Sequence, residues 1–255
     1  MADSGDEFSM KGQLYMEFGY VYEAGERERN EDALLLRSSL FAKGELILAA
    51  VCDGMGGMES GVDASFYCIR EMEEWYDAQL IPSIEKYGMN HGKMKRIIRS
   101  KGFQLYQQMN KKLFERMRVE KVRMGTTAIM CIVFRDYFYL FHLGDSRCYR
   151  FSRGILGTQI RRVTKDHGET KGLSRCLGLN KEWKPDFLTG KCRGHNFLLC
   201  TDGFWRKQDF QLWKRCMEVK KMSDGNIITK RLKTIVNYNL RMDEKDNISA
   251  IYIRR

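Results

Sequence analysis

The segment LILAAVCDGMGG, residues 46–57, begins with seven apolar residues and then changes to an aspartate followed by three glycines and one methionine. A continuous apolar run of this length is consistent with a strand that is buried on both faces. An Asp-Gly pair most often forms a turn. Asp53 alone therefore fits a turn residue as well as a metal ligand at the end of a strand, and residues elsewhere in the chain decide between the two.

The composition is that of a globular protein: 43% of the 255 residues are hydrophobic, and 14 Phe, 12 Tyr and 4 Trp supply core material. The longest apolar run, Leu46–Cys52, is too short to span a bilayer. Residues 1–12 are polar and lack the apolar segment of a signal peptide. We expect a flexible leader over residues 1–12, with Met1 or Met10 as the start, and a single domain over residues 13–255.

The eight cysteines form no C-x-x-C pair, which argues against a structural zinc site and favours a reducing, cytoplasmic location. The formal net charge is +11, and residues 93–123 alone hold 11 Lys or Arg against Glu115 and Glu120. Such a basic run would suit nucleic acid or an acidic protein partner. We favour a solvated helix face and do not expect nucleic-acid binding.

Strand patterns dominate the chain and are interrupted by helical ones. Candidate strands are Leu14–Tyr22, Ala33–Arg37, Leu46–Cys52, Thr126–Phe134, Tyr137–Leu143, Arg147–Phe151, Gln159–Val163, Phe197–Thr201 and Ile248–Ile253. Candidate helices are Gly61–Gln79, Lys93–Glu120, Asp209–Glu218 and Asn226–Asn239. Short links around Arg135-Asp136 and Gly144-Asp145-Ser146 predict an antiparallel meander of three strands. The pattern as a whole predicts an α+β layered fold.

Four aspartates lie beside predicted strands: Asp53, Asp145 and Asp202 follow one, and Asp246 precedes one. If the last strand runs antiparallel to the strand that ends at Thr201, then Asp202 and Asp246 lie at the same rim of the sheet. Carboxylates that converge in this way need a counter-charge, which a divalent metal ion supplies. Oxygen ligands favour Mg²⁺ or Mn²⁺ over Zn²⁺.

Two further features support a phosphate site. Gly54 leaves its own carbonyl free to turn toward a metal ion. Upstream, the charged segment from Arg27 to Asp32 offers a guanidinium that can bind a phosphate in a bidentate manner. In isolation this segment also fits a charged surface turn. The four histidines form no cluster that the sequence makes evident, and neither a Cys nor a Ser has a recognisable base partner.

Together, these residues resemble the metal-dependent Ser/Thr protein phosphatases of type 2C, in their bacterial form. The matching motifs are RERNEDA (27–33), VCDGMGG (51–57), GTTA (125–128), HLGDSRCYR (142–150), VTKDH (163–167), LSRCLG (173–178), LLCTDGFW (198–205) and DNISAIYI (246–253). Their order covers nearly the whole chain from about residue 14. The resemblance implies four layers, α-β-β-α, in which a central antiparallel β-sandwich is flanked by helices.

The resemblance also implies a role for each matching residue. It implies that Asp53 bridges two ions, that the Gly54 carbonyl binds the second, and that Asp202 and Asp246 bind the first. Arg27 would hold the substrate phosphate. The remaining roles are support of the water shell by Glu31 and Asp32, and a third, weaker ion shared by Asp145 and Asp202. The implied reaction is hydrolysis of phosphoserine or phosphothreonine on proteins by a hydroxide that bridges two Mn²⁺ or Mg²⁺ ions.

The chain departs from the family in two places. Met55 stands where animal relatives carry a histidine that protonates the leaving group, and a thioether has no proton to donate. Only residues 168–172 separate the VTKDH and LSRCLG motifs, where bacterial relatives carry a longer flap. We therefore expect a more open cleft, and the short flap leaves a second hypothesis, a phosphatase-like binding module with weak or no turnover. Phosphorylated proteins are the implied partners, with a cognate Ser/Thr kinase as another candidate, and we expect a monomer.

Overall fold

Two antiparallel sheets form the centre of the protein. The computed structural model describes residues 16–56, 60–169, 172–173, 175–178, 184–218 and 225–255. Within them, the strands are β1 (Glu17–Glu23), β2 (Asp32–Phe41), β3 (Gly44–Gly56), β4 (Met124–Thr126), β5 (Ala128–Phe134), β6 (Tyr137–Leu143), β7 (Arg147–Gly154), β8 (Gly157–Arg162), β9 (Gly168–Glu169), β10 (Gly172–Leu173), β11 (Asp186–Lys191), β12 (His195–Cys200) and β13 (Ile248–Arg254). The five-stranded sheet has the order β1-β13-β12-β7-β8. The six-stranded sheet has the order β11-β6-β5-β3-β2, with β4 paired to β3 as its sixth strand, while β9 and β10 pair as a short hairpin.

Helices cover the outer face of each sheet. They are α1 (Ser60–Trp75), α2 (Ile81–Tyr87), α3 (His91–Glu120), α4 (Asp202–Trp205), α5 (Phe210–Cys216) and α6 (Gly225–Arg241). Side chains of α1, α2 and α3 pack on the six-stranded sheet. Side chains of α5 and α6 pack on the five-stranded sheet. The predicted α-β-β-α architecture is confirmed.

Strand β3 shows why the apolar run has no polar alternation. Leu46, Leu48 and Ala50 point toward the helices, whereas Ile47 and Ala49 belong to the core between the two sheets. All five side chains are fully buried. Both faces of this strand therefore contribute to a core, as the sequence predicts.

The predicted meander is only partly present. β5 and β6 pair as a hairpin, but β7 pairs with β12 and β8 in the other sheet. The chain crosses between the sheets at Gly144, which adopts a φ of 106° that favours glycine. This crossing places Asp145 at the junction of the two sheets.

Other differences concern helix continuity and one edge strand. The predicted helix Gly61–Gln79 is instead α1, a π-helical segment at Tyr76–Leu80 and then α2, whose first turn contains Pro82, where the missing N–H has no cost. Strand β11 is not predicted by the sequence, because an edge strand with a half-buried sequence, DFLTGK, gives a weak pattern. Residues 1–12 lie outside the described residues.

The basic helix α3 packs on the sheet through an apolar stripe. Ile98, Leu105, Met109 and Leu113 are buried against the six-stranded sheet. None of the helices in the described ranges combines the length and the apolar character that a bilayer crossing requires. All eight cysteines are buried and free.

Candidate active site

One cavity of about 1050 Å³ collects most of the residues that the sequence singles out. Seven of the eight predicted site residues line it: Arg27, Glu31, Asp53, Gly54, Asp145, Asp202 and Asp246. They come from the end of β3, the β6–β7 turn, the first residue of α4, and the segments that precede β2 and β13. The eighth residue, Asp32, pairs with Asp53 across β2 and β3.

Strand pairing accounts for this convergence. β12 runs antiparallel to β13, and Cys200 pairs with Ala250, so the end of β12 lies beside the start of β13. Asp202 and Asp246 therefore lie at the same rim of the five-stranded sheet, as predicted. Asp53 reaches the same cavity from the six-stranded sheet. The two sheets thus contribute acidic groups from opposite sides of one cleft.

The backbone of Asp53 is held by two threonines at the β4–β5 junction. The Asp53 N–H donates to Thr127 Oγ1 at 3.0 Å, and the Asp53 carbonyl accepts from the Thr127 N–H at 2.9 Å and from Thr126 Oγ1 at 3.0 Å. A Cβ atom at Gly54 would lie 2.2 Å from the carbonyl oxygen of Gly61 in α1. A residue with a side chain at position 54 would therefore keep β3 away from α1. The backbone contacts of Asp53 and Gly54 fix the point at which the Asp53 side chain leaves the strand.

The carboxylates repel one another in a buried setting. Burial raises the pKa of Asp53 well above its ordinary value, and the charges of Asp32, Asp202 and Asp145 raise it further. Burial also raises the pKa of Asp202 to about 6, although the charge of Arg206 opposes the rise. Asp145 Oδ1 is buried and has no hydrogen-bond partner among the described residues. A divalent cation fits this set of oxygen atoms, because it would supply the missing positive charge.

These shifts predict how the stability of the metal-free protein depends on pH. A carboxyl group whose pKa is higher in the folded state binds more protons when folded, so its contribution to stability is lost as pH rises. We expect the free energy of unfolding, measured in chelator, to fall between about pH 4, the ordinary pKa of an aspartate, and about pH 7, to which burial raises the pKa of Asp32. Asp53→Asn should flatten this slope in denaturant titrations at several pH values. An equal slope in both proteins would contradict the prediction.

Arg27 lies at the rim of the cavity with its side chain 60% exposed, and its Nη2 is 3.2 Å from Asp246 Oδ1. Asn247 holds the segment that carries it. Asn247 Nδ2 donates to the carbonyls of Ala24 and Arg29, both at 2.9 Å. Asn247 directly follows Asp246 in the motif DNISAIYI, but its sequence position alone does not predict this role. Arg27 is thus placed beside the acidic groups while its guanidinium stays accessible.

The sequence profile of protein phosphatase 2C matches residues 23–236 of the chain. The chain belongs to the protein phosphatase 2C family. The family places this enzyme among the protein serine/threonine phosphatases, which depend on metal ions. No curated protein matches the chain by sequence.

Solved structures of bacterial phosphatases share the fold of this phosphatase. A bacterial serine phosphatase is 22% identical, with a TM-score of 0.75 over 94% of this chain and 97% of that chain. The catalytic domain of the serine/threonine phosphatase PstP, in complex with two manganese ions, is 21% identical, with a TM-score of 0.73 over 94% and 97%. Stp1 from Staphylococcus aureus is 21% identical, with a TM-score of 0.73 over 95% and 96%.

Glu31 and Asp32 of this phosphatase lie in different environments. Glu31 lines the cavity, and its pKa is raised, first by burial. Asp32 is 1% exposed and accepts a hydrogen bond from Thr201 Oγ1 at 3.0 Å. Burial raises the pKa of Asp32 to about 7. Glu31 is therefore the one of the two that faces the cavity directly.

Two histidines that are distant in sequence support the turn that carries Asp145. The rings of His142 and His167 lie 4.7 Å apart. The His142 Nε2 faces the carbonyl of Ser146 at 2.9 Å, and His167 Nδ1 accepts from the Gly144 N–H at 3.2 Å. Burial lowers the pKa of His142 to about 4, so its ring is neutral. The sequence does not reveal this pair because its members lie on separate segments.

Arg206 is a further residue of the site that the sequence analysis missed. Its guanidinium contacts Asp202, Glu244 and Asp246. Arg206 follows Asp202 by four residues at the end of α4, and this helical spacing is the only signal in the sequence. Met55 lines the cavity as well, and its sulfur lies 3.7 Å from Cys176 Sγ.

Proposed function

We propose that this phosphatase hydrolyses phosphoserine and phosphothreonine on proteins with two divalent ions, Mn²⁺ or Mg²⁺. Asp53, Asp202, Asp246 and the Gly54 carbonyl would hold them. The observation that carries the proposal is the convergence of four acidic groups from two sheets on one cavity, where burial and mutual repulsion raise the pKa values of Asp53 and Asp202. When bound, the ions supply an activated water as nucleophile and stabilise negative charge on the phosphoryl oxygens.

Asp53 is the central ligand in this proposal. It lies near the end of β3 in the six-stranded sheet, and its backbone hydrogen bonds to Thr126 and Thr127 fix its position when ions bind. A rigid ligand of this kind keeps the site arranged for charge that develops in the transition state.

Arg27 is proposed to bind the substrate phosphate. Its guanidinium offers the planar pair of donors that matches a phosphate, and it is exposed enough to meet a phosphorylated side chain. Its contact with Asp246 at 3.2 Å holds it near the position of the ions until substrate arrives. Binding of the phosphate would exchange this contact for a stronger, bidentate one.

Glu31 and Asp32 are proposed to organise water around the ions. Glu31 faces the cavity. Asp32 would act indirectly, through the hydrogen bond that it accepts from Thr201 and through its pairing with Asp53. We propose that residues 13–255 form one catalytic domain. A cytoplasmic location, a monomeric state and a cognate Ser/Thr kinase as partner stay predictions.

Hydrolysis of a phosphothreonine peptide tests the proposal. We expect the wild-type protein to release phosphate when Mn²⁺ is present, to lose this activity after treatment with chelator, and to regain it when Mn²⁺ is restored. Phosphate release should be measured beside calorimetric titration of Mn²⁺. Binding of Mn²⁺ without turnover would support the alternative, a phosphatase-like binding module, for which the short hairpin of β9 and β10 is the motivating feature.

A further inference from the structure

Arg206 places a permanent positive charge inside the acidic cluster. Its Nη1 donates to Glu244 Oε1 at 2.8 Å, and its Nη2 donates to Asp202 Oδ2 and to Asp246 Oδ2, the latter at 3.3 Å. Two of these three carboxylates are proposed ligands of the ions. The guanidinium therefore takes up negative charge that would otherwise attract a cation.

The anchoring of Arg206 extends beyond the proposed ligands. Glu244 is 3% exposed, and its Oε1 also accepts from the N–H groups of Lys245 and Asp246 at 3.1 and 3.2 Å. The Arg206 N–H in turn donates to the Asp202 carbonyl at 2.7 Å. Because a buried, hydrogen-bonded carboxylate holds one side of the guanidinium, its charge stays at this place when ions bind elsewhere in the cluster.

Asp145 is hydrogen-bonded to α4, the helical turn that directly precedes Arg206. Trp205, the residue before Arg206, donates from Nε1 to the Asp145 carbonyl at 3.0 Å. The guanidinium of Arg147 lies 3.1 Å from the centre of the Trp205 ring and pairs with Asp166 at 2.7 Å, which holds the indole in place. Asp145, Asp202 and Arg206 are thus brought together by α4, in the region where a third ion would need both aspartates.

We propose that Arg206 replaces a third metal ion, so that the active site of this chain holds two ions. This inference rests on the proposed function. The carboxylates of Asp53, Asp145, Asp202, Asp246 and the buried Glu244 carry five negative charges when ionised, of which two divalent ions match four and Arg206 matches the fifth. Arg206 binds Oδ2 of Asp202 and of Asp246, which leaves Oδ1 of each residue for the ion that both would hold. A third ion between Asp145 and Asp202 would have to share Asp202 with that ion and with the guanidinium, and like charges at such distances repel strongly.

Stoichiometry of Mn²⁺ binding tests the role of Arg206 without relying on activity. Calorimetric titration of the full chain should give two ions for the wild type and three for Arg206→Gln. Arg206→Lys, which keeps the charge, should give two. Lys207→Gln is the matched control, because Lys207 is the next residue and its side chain makes no salt bridge within the described part of the chain; it should give two.

Each outcome bears on the inference. Three ions in the wild type, or two in both the wild type and Arg206→Gln, would overturn the role of Arg206 and leave the proposed function intact. Three ions in Arg206→Lys would also overturn it, since the charge would then not be what excludes the third ion. Arg206→Met, which removes the charge but keeps an aliphatic stem, takes the place of Arg206→Gln if that variant does not fold, and should also give three. A wild type that binds no Mn²⁺ would instead contradict the proposed function itself.

Discussion

Asp53→Asn is expected to lower kcat for a phosphothreonine peptide by about 10³-fold or more at saturating Mn²⁺. The substitution removes the charged ligand that both ions would share, and loss of such preorganised charge raises the barrier by about 4 kcal/mol or more. The shape of the side chain is kept, so the hydrogen bonds that the backbone makes to Thr126 and Thr127 should persist.

Measurement of the stability of Asp53→Asn distinguishes a loss of catalysis from a loss of the fold. Because the ionised Asp53 is buried among other carboxylates, the metal-free variant should be at least as stable as the wild type near pH 7. Asp243→Asn is the control: Asp243 is 78% exposed and has a φ of 60°, which asparagine tolerates. Full turnover by Asp53→Asn would rule out the proposed site.

Arg27→Ala is the second substitution with a large expected effect, a loss of kcat/KM of about 10²- to 10³-fold. A bidentate arginine–phosphate contact would be lost, and a charge-assisted pair of this kind contributes about 3 kcal/mol. Arg27→Lys should recover only part of the loss, because an ammonium group lacks the planar pair of donors.

Measurement of Mn²⁺ binding distinguishes a role of Arg27 in phosphate binding from damage to the metal site. Arg27 pairs with Asp246 Oδ1 in the structure, so its removal frees a proposed ligand. The affinity for Mn²⁺ should therefore stay the same or rise in Arg27→Ala while kcat/KM falls. Arg241→Ala, in the last turn of α6, serves as the control. A variant that loses Mn²⁺ binding and activity together would show that Arg27 acts on the ions and not on the phosphate.

The convergence of Asp53, Asp202 and Asp246 on one cavity can be predicted from the sequence because its signals are local. A carboxylate that directly follows a run such as LILAAVC must lie at the end of a buried strand, and one antiparallel pairing then brings Asp202 to Asp246. The sheet to which β7 belongs is not predictable in this way. A short link with glycine fits a hairpin and a crossing between sheets equally well, and packing of the whole sandwich decides between them.

Arg206 and the histidine pair show what local patterns miss. In the sequence, Arg206 is one charged residue at the end of a short helix. Its contact with Glu244, which lies in another segment, exists only in the folded chain. His142 and His167 meet only because β6 and the segment after β8 converge below the turn of Asp145. Such contacts depend on pairing between distant segments, so the spacing of residues along the chain does not reveal them.

The position of β13 bears on when the site can form. This strand is the latest of the described strands in chain order, yet it lies inside the five-stranded sheet between β1 and β12, and Asp246 directly precedes it. During synthesis, Asp53 and Asp202 can take their places on partly assembled sheets, but the cluster lacks Asp246 until β13 has inserted. A nascent chain would thus lack a complete acidic cluster until β13 has inserted between β1 and β12.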